Sequence, residues 1–97
     1  MRKHDLKVWP AYFAALTDGS KSFEVRRNDR DFAVGDLLRL HEYDPAPDIN
    51  GRERGATGQS ISRVVTYVML GGRFGIQSDF CVLALAHTAA EPEGNDG

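Results

Sequence analysis

The segment Gly19-Ser20-Lys21-Ser22-Phe23-Glu24-Val25-Arg26-Arg27-Asn28-Asp29-Arg30 holds the densest polar chemistry of the chain. Ser22 to Arg26 alternates polar and apolar residues, which predicts a half-buried strand. On such a strand Phe23 and Val25 share one face, and Glu24 and Arg26 share the other. Side chains two positions apart on a strand stand about 6.5–7 Å from one another, so Glu24 and Arg26 can touch a single ligand. Lys21 falls at the turn into the strand and extends over the same place. A lysine, a carboxylate and a guanidinium at this spacing suit a nucleotide. The cations bind phosphate or carbonyl oxygens, and Glu24 accepts from a base amino group or a sugar hydroxyl. The same pattern also fits a solvated strand face, whose charges pair with neighbouring strands and contribute about 0–1 kcal/mol each. Periodicity leaves both open.

Other chemistries find less support. Cys81 is the lone cysteine and lies in the apolar run Phe80-Cys81-Val82-Leu83-Ala84-Leu85, which favours a buried structural thiol over a reactive one. His4, His41, His87 and Cys81 lack the paired spacing of a metal site, so neither a metal nor a cofactor is expected. No Ser-His-Asp or Cys-His arrangement stands at a recognisable spacing.

The elements that must position Lys21, Glu24 and Arg26 follow from the pattern around them. Leu6 to Trp9 reads as a short strand. Pro10 then opens a helix to about Asp18, because its fixed φ suits a first helical position, and Gly19 is a left-handed C-cap. Trp9, Phe13 and Leu16 follow helical spacing, and Trp9 is expected to pack in the core beside the helix. Strands are predicted at 22–26, 37–43, 61–70 and 80–86, with turns at 34–36 and Gly71-Gly72. The stretch 44–58 carries Pro45, Pro47, Gly51, Gly55 and Gly58 with few apolar residues and reads as a long loop. One early helix among irregularly spaced strands predicts a mainly β, α+β fold, a small barrel rather than a two-layer sheet, because closure hides strand edges.

Composition bounds the class of protein. The 97 residues allow one domain, expected over 1–88. No apolar run approaches the roughly 20 residues that span a bilayer, so no membrane association is expected and the cytoplasm is the default location. The formal charge is −2, but Glu91, Glu93 and Asp96 lie in a Pro/Gly-rich tail, 89–97, expected to be disordered. Removing these acids makes the balance slightly positive. Basic residues gather at Arg2, Lys3 and Lys7 and again from Lys21 to Arg30, where a polyanion can dock.

Gly19-x-Lys21-x-x-Glu24-x-Arg26 resembles the G-x-K-x-x-E-x-R signature of ASCH domains, a branch of the PUA-like superfamily of small RNA-binding barrels. The likeness continues through His4-Asp5-Leu6-Lys7, the Phe13 helix, Lys21 to Phe32, Val34 to Leu38, Thr66 to Ile76 and Val82-Leu83. These blocks, over about 4–86, look like an uncharacterised ASCH-type family of small bacterial and phage proteins. The resemblance implies a PUA-like pseudo-barrel of about five to six strands with a groove beside the first helix and second strand. It places Lys21, Glu24 and Arg26 in that groove, and Arg27, Asn28, Asp29 and Arg30 around it.

Three functions are compatible with this resemblance. The first is a module that binds RNA, a nucleoside or a nucleotide, with phosphates held by Arg26, Arg27, Arg30 and Lys7 and bases stacked on Trp9, Tyr43 or Tyr67. Asn28 belongs to the same expected ligand set. The second is a hydrolase, because some ASCH proteins are similar to acetylcytidine amidohydrolases and others to ribonucleases. Lys21 would then act as general base and Glu24 would move a proton. The amidohydrolase branch, however, carries a Thr hydroxyl where this chain has Glu24, and Ser22 lies two positions away. The third is a phage or host protein-interaction module, with the 44–58 segment as a contact surface. Oligomeric state is left open.

Overall fold

The computed structural model of the protein describes residues 1–86; the acidic segment 89–97, expected to be disordered, lies outside the described residues. Strand β1 (Lys3–Val8) alternates cleanly, burying His4, Leu6 and Val8 and exposing Lys3, Asp5 and Lys7. It begins earlier than its apolar residues announce, because His4 takes an inward position. Helix α1 (Pro10–Thr17) starts on Pro10, with Trp9 extended as its N-cap. Gly19, at φ +87, releases the chain from the helix in the conformation that only glycine adopts without strain. Phe13 and Leu16 are the buried residues of α1, each contributing roughly 1.5–3 kcal/mol.

The remaining elements are β2 (Phe23–Arg27), β3 (Leu37–Pro47), β4 (Glu53–Leu70) and β5 (Phe80–Leu85). They form a mixed five-stranded sheet in the order β1-β3-β4-β5-β2, in which only the β1–β3 pair is parallel. The described residues are thus mainly β with one short helix, an α+β pseudo-barrel. Strand β4 divides its length, pairing through Val64 with β3 and from Val65 with β5, with a register shift between Val65 and Tyr67. The core gathers around Leu38, Leu40, Val65, Cys81 and Leu83, all 0% exposed. Cys81 is therefore enclosed, and burial, aided by the charge of Asp29, pushes its thiol pKa up.

The sheet does not close by a backbone ladder between its edge strands. Arginines lace the seam instead: Arg26 donates to the carbonyl of Lys7, and Arg30 donates to that of Asp5 at 2.9 Å. Arg2 donates back to the carbonyls of Arg30 and Asp31. Edge carbonyls without a partner strand are satisfied in this way.

The segment 44–58 is not a loop. Strand β3 continues to Pro47 and β4 starts at Glu53, so the chain forms a hairpin arm beyond the core. Its pairs include Tyr43↔Ala56, Asp44↔Gly55 and Pro47↔Glu53, with register shifts at His41/Tyr43 and Asp44/Pro47. Both faces of the arm are largely wet, so no apolar alternation is required of it. Its prolines sit where the pairing is irregular, and Gly55 takes φ +82 there. Asp48 folds the tip by accepting from the backbone N–H groups of Asn50 and Arg52, at 2.8 and 3.0 Å.

Candidate functional site

Strand β2 is inverted relative to ordinary amphipathic strands. Its apolar residues Phe23 and Val25 are 44% and 46% exposed, whereas Glu24 is 6% exposed. Of the two readings left open for this face, the fully solvated one does not hold for Glu24, which turns inward. The reason is position. β2 is an edge strand at the laced seam, and its inner face borders an opening between β1, α1 and β2 rather than sealed core.

Two cations make this burial tolerable. Lys21 Nζ stands 3.3 Å from Glu24 Oε1, and the Arg26 guanidinium stands 3.6 Å from Oε2. Lys21 also donates to the carbonyl of Phe23 at 2.7 Å, and Arg26 is anchored on that of Lys7. The clamp is incomplete. Glu24 Oε2 is buried and receives no hydrogen bond, since 3.6 Å exceeds a normal donor–acceptor distance.

Glu24 lines a groove of about 600 Å³. One wall is Lys7, Val8, Trp9 and Tyr12, and the other is Lys21, Phe23, Glu24 and Val25 with Arg26, Arg27 and Phe80. Trp9, expected in the core, is 56% exposed at its mouth, because it is the N-cap residue and precedes the buried side of the helix. It stacks on Tyr12 with ring centroids 6.1 Å apart and planes at 17°. Lys21 sits over the rings of Phe23 and Tyr12, at 4.7 and 5.6 Å.

The other expected site residues separate. Arg27 lines the groove while pairing with Asp79, its guanidinium 5.1 Å above the Phe80 ring. Arg30 is used in the seam and lies 3.9 Å from Asp29. Asn28 donates its N–H to the carbonyl of Asp79 at 2.8 Å, its Oδ1 is buried without a donor, and it does not line the groove. Tyr67, 63% exposed on β4, also lies outside the groove. Tyr43 is bonded to Glu53 on the hairpin arm, with Lys7 Nζ 4.4 Å above its ring. Bonding to Glu53 raises the Tyr43 pKa.

Three buried polar residues had no signal in the sequence. His4 donates from Nε2 to Asp36 at 2.9 Å, and Asp36 also accepts the backbone N–H groups of Arg2 and Ala33, at 3.1 and 3.0 Å. Burial pushes the Asp36 pKa up, but these hydrogen bonds together hold it below the ordinary aspartate value of 3.8. Arg63, 7% exposed, donates to the carbonyl of Leu16 at 3.2 Å and so ties the end of α1 to β4; burial lowers its pKa. Among the described residues no three His, Cys, Asp or Glu side chains gather to hold a metal ion. No helix of the described residues is long and apolar enough to cross a membrane.

Both halves of the groove lie inside the segment matched by a family model. Residues 3–85 match a domain of unknown function, DUF3850. The chain belongs to this family. The DUF3850 match takes in all five strands and α1, so groove, seam and hairpin arm are parts of one domain. An uncharacterized 12.9 kDa protein of Escherichia phage P2 is 40% identical over 40 residues, which is 41% of this chain and 37% of that protein. The match thus spans little more than a third of the phage relative's length.

Proposed function

We propose that this DUF3850 domain is an ASCH-type, PUA-like module that binds a nucleotide, alone or within RNA, in the groove lined by Lys21, Glu24 and Arg26. One observation carries the reading: a buried carboxylate in an open groove keeps an oxygen with no donor. Leaving such an atom unsatisfied costs about 1–3 kcal/mol, more for a charged group, unless a ligand supplies the missing N–H or O–H. A base amino group or ribose hydroxyl is such a donor. The cations Lys7, Lys21, Arg26 and Arg27 around it favour an anionic ligand, as a phosphate makes it.

The binding reading is preferred over hydrolysis because of how Lys21 is used. Its ammonium already donates to two oxygens, of Phe23 and Glu24, which is the work of a fixed cation and not of a free base. The only cysteine is enclosed in the core, so it offers no nucleophile.

The experiment is a titration of labelled single-stranded RNA, DNA and nucleoside monophosphates at low salt, with Glu24→Gln alongside. Glu24→Gln removes the charged acceptor, and binding is expected to weaken roughly 10- to 100-fold, the range for a hydrogen bond to a charged group. Affinity should also fall steeply with added salt. No binding by any of these ligands at low salt would end the reading.

A further inference from the structure

Helix α1 is apolar almost all round, as Pro-Ala-Tyr-Phe-Ala-Ala-Leu-Thr, yet the fold covers only the side carrying Phe13 and Leu16. A helix of that composition is ordinarily enclosed, so its open side calls for a ligand. That open side carries a specific arrangement. Trp9 and Tyr12 are 56% and 50% exposed, and their rings lie nearly parallel at the groove mouth. Aromatic rings held this way, and this accessible, are what proteins use to stack unpaired bases.

We propose that the Trp9–Tyr12 pair is a shelf for a second base next to the one in the groove, so that the ligand is a single-stranded oligonucleotide rather than a free nucleoside. This rests on the nucleotide reading above and adds its substrate class. The backbone under the shelf is held in place. Trp9 is the N-cap residue, Pro10 fixes the chain after it, and the Trp9 carbonyl accepts the Phe13 N–H at 2.8 Å. Its charge surroundings fit a sugar–phosphate backbone running from groove to shelf. Lys7 lies on the same wall two residues before Trp9, and Lys21 Nζ is 5.6 Å from the Tyr12 ring. Arg26 lies between these elements at the seam, bonded to the Lys7 carbonyl. Along its length a duplex offers no exposed base face to such a shelf, which is why a single strand is specified.

Trp9 is the only tryptophan of the chain, so its intrinsic fluorescence reports directly on the shelf. The test compares nucleoside monophosphates, matching dinucleotides, single-stranded 8-mers of RNA and DNA, and an 8-base-pair duplex. The second base is expected to tighten binding about 5- to 150-fold, the range for one base stacked on an aromatic side chain, and to quench Trp9. In anisotropy with labelled 8-mers, Trp9→Ala is expected to weaken binding by a similar factor and Trp9→Phe to restore most of it. Both substitutions are at a half-exposed position, and circular dichroism verifies their fold. This pattern with RNA, DNA or both supports the shelf. Equal affinity for mono- and dinucleotides, or preference for the duplex, or an unchanged Trp9→Ala, overturns it while leaving the groove reading in place. Failure of every ligand to bind overturns both.

Discussion

Asp36 and Glu24 are carboxylates buried to nearly the same degree, 3% and 6% exposed, in one small domain. Asp36 is satisfied by its own chain: His4 and the N–H of Ala33 reach one oxygen, and the N–H of Arg2 reaches the other. Glu24 has two cations beside it, and one of its oxygens still accepts nothing. Equal burial therefore does not mean equal satisfaction. A carboxylate closed by backbone donors fixes the strands around it, whereas one that keeps an unsatisfied oxygen beside a groove is where the proposed ligand would supply a donor. The surroundings agree. Asp36 is bonded to His4, whose ring meets Phe32 edge to face at 4.8 Å, while Glu24 lines a groove with exposed Trp9 and Tyr12.

The largest effect that tests this contrast is Asp36→Ala. It strands three donors and detaches the start of β1 from the turn before β3. Removing one partner of a buried pair typically costs about 3–5 kcal/mol. In a domain of this size each kcal/mol moves Tm by roughly 4–8 °C, so Tm should drop by at least about 12 °C. A drop of only a few degrees would show that Asp36 is no more structural than Glu24.

Acid titration gives the next largest effect. Asp36 is held below its ordinary 3.8 in the folded protein, so the unfolded chain binds its proton first. Its contribution is complete above about pH 5 and is lost as pH falls through 3.8 and on to the lower folded value. Stability from urea unfolding between pH 6 and pH 3 should fall in the wild type and less steeply in Asp36→Asn. Parallel curves would remove Asp36 as the source.

Much of this architecture was legible in the residues themselves. Pro10 and Gly19 bracket α1, the alternation of 37–43 marks β3, and the apolar run from Phe80 marks β5. What failed did so for physical reasons. Alternation correctly separated Phe23 and Val25 from Glu24 and Arg26, but periodicity assigns residues to faces without saying which face is inside. On an edge strand beside an opening, the charged face turned in. The hairpin arm was hidden because a two-stranded ribbon wet on both sides has no apolar pattern, and its Pro and Gly residues imitate a loop. Trp9 shares helical spacing with Phe13 and Leu16, and spacing alone did not reveal that it falls at the helix start, outside the packed side. The grouping of Lys21, Glu24 and Arg26 was local enough to read, whereas the His4–Asp36 and Arg63–Leu16 contacts join residues distant in sequence and had no local mark.

The smallest expected effect is the most discriminating. Glu24→Gln keeps the shape of the side chain, leaves Lys21 an amide oxygen to donate to, and removes a desolvated charge that is only partly compensated. The lost ion pairs and the relieved desolvation oppose each other, so stability should change by no more than about 1 kcal/mol in either direction. Tm should accordingly move by less than about 8 °C, well short of Asp36→Ala. Ligand affinity, measured on the same preparation, should nevertheless fall at least roughly tenfold. A loss of stability comparable to that of Asp36→Ala, with binding unchanged, would make Glu24 a second structural carboxylate and erase the distinction between the two. A stable protein that has lost its ligand would place the difference in the Glu24 oxygen that the fold leaves without a donor.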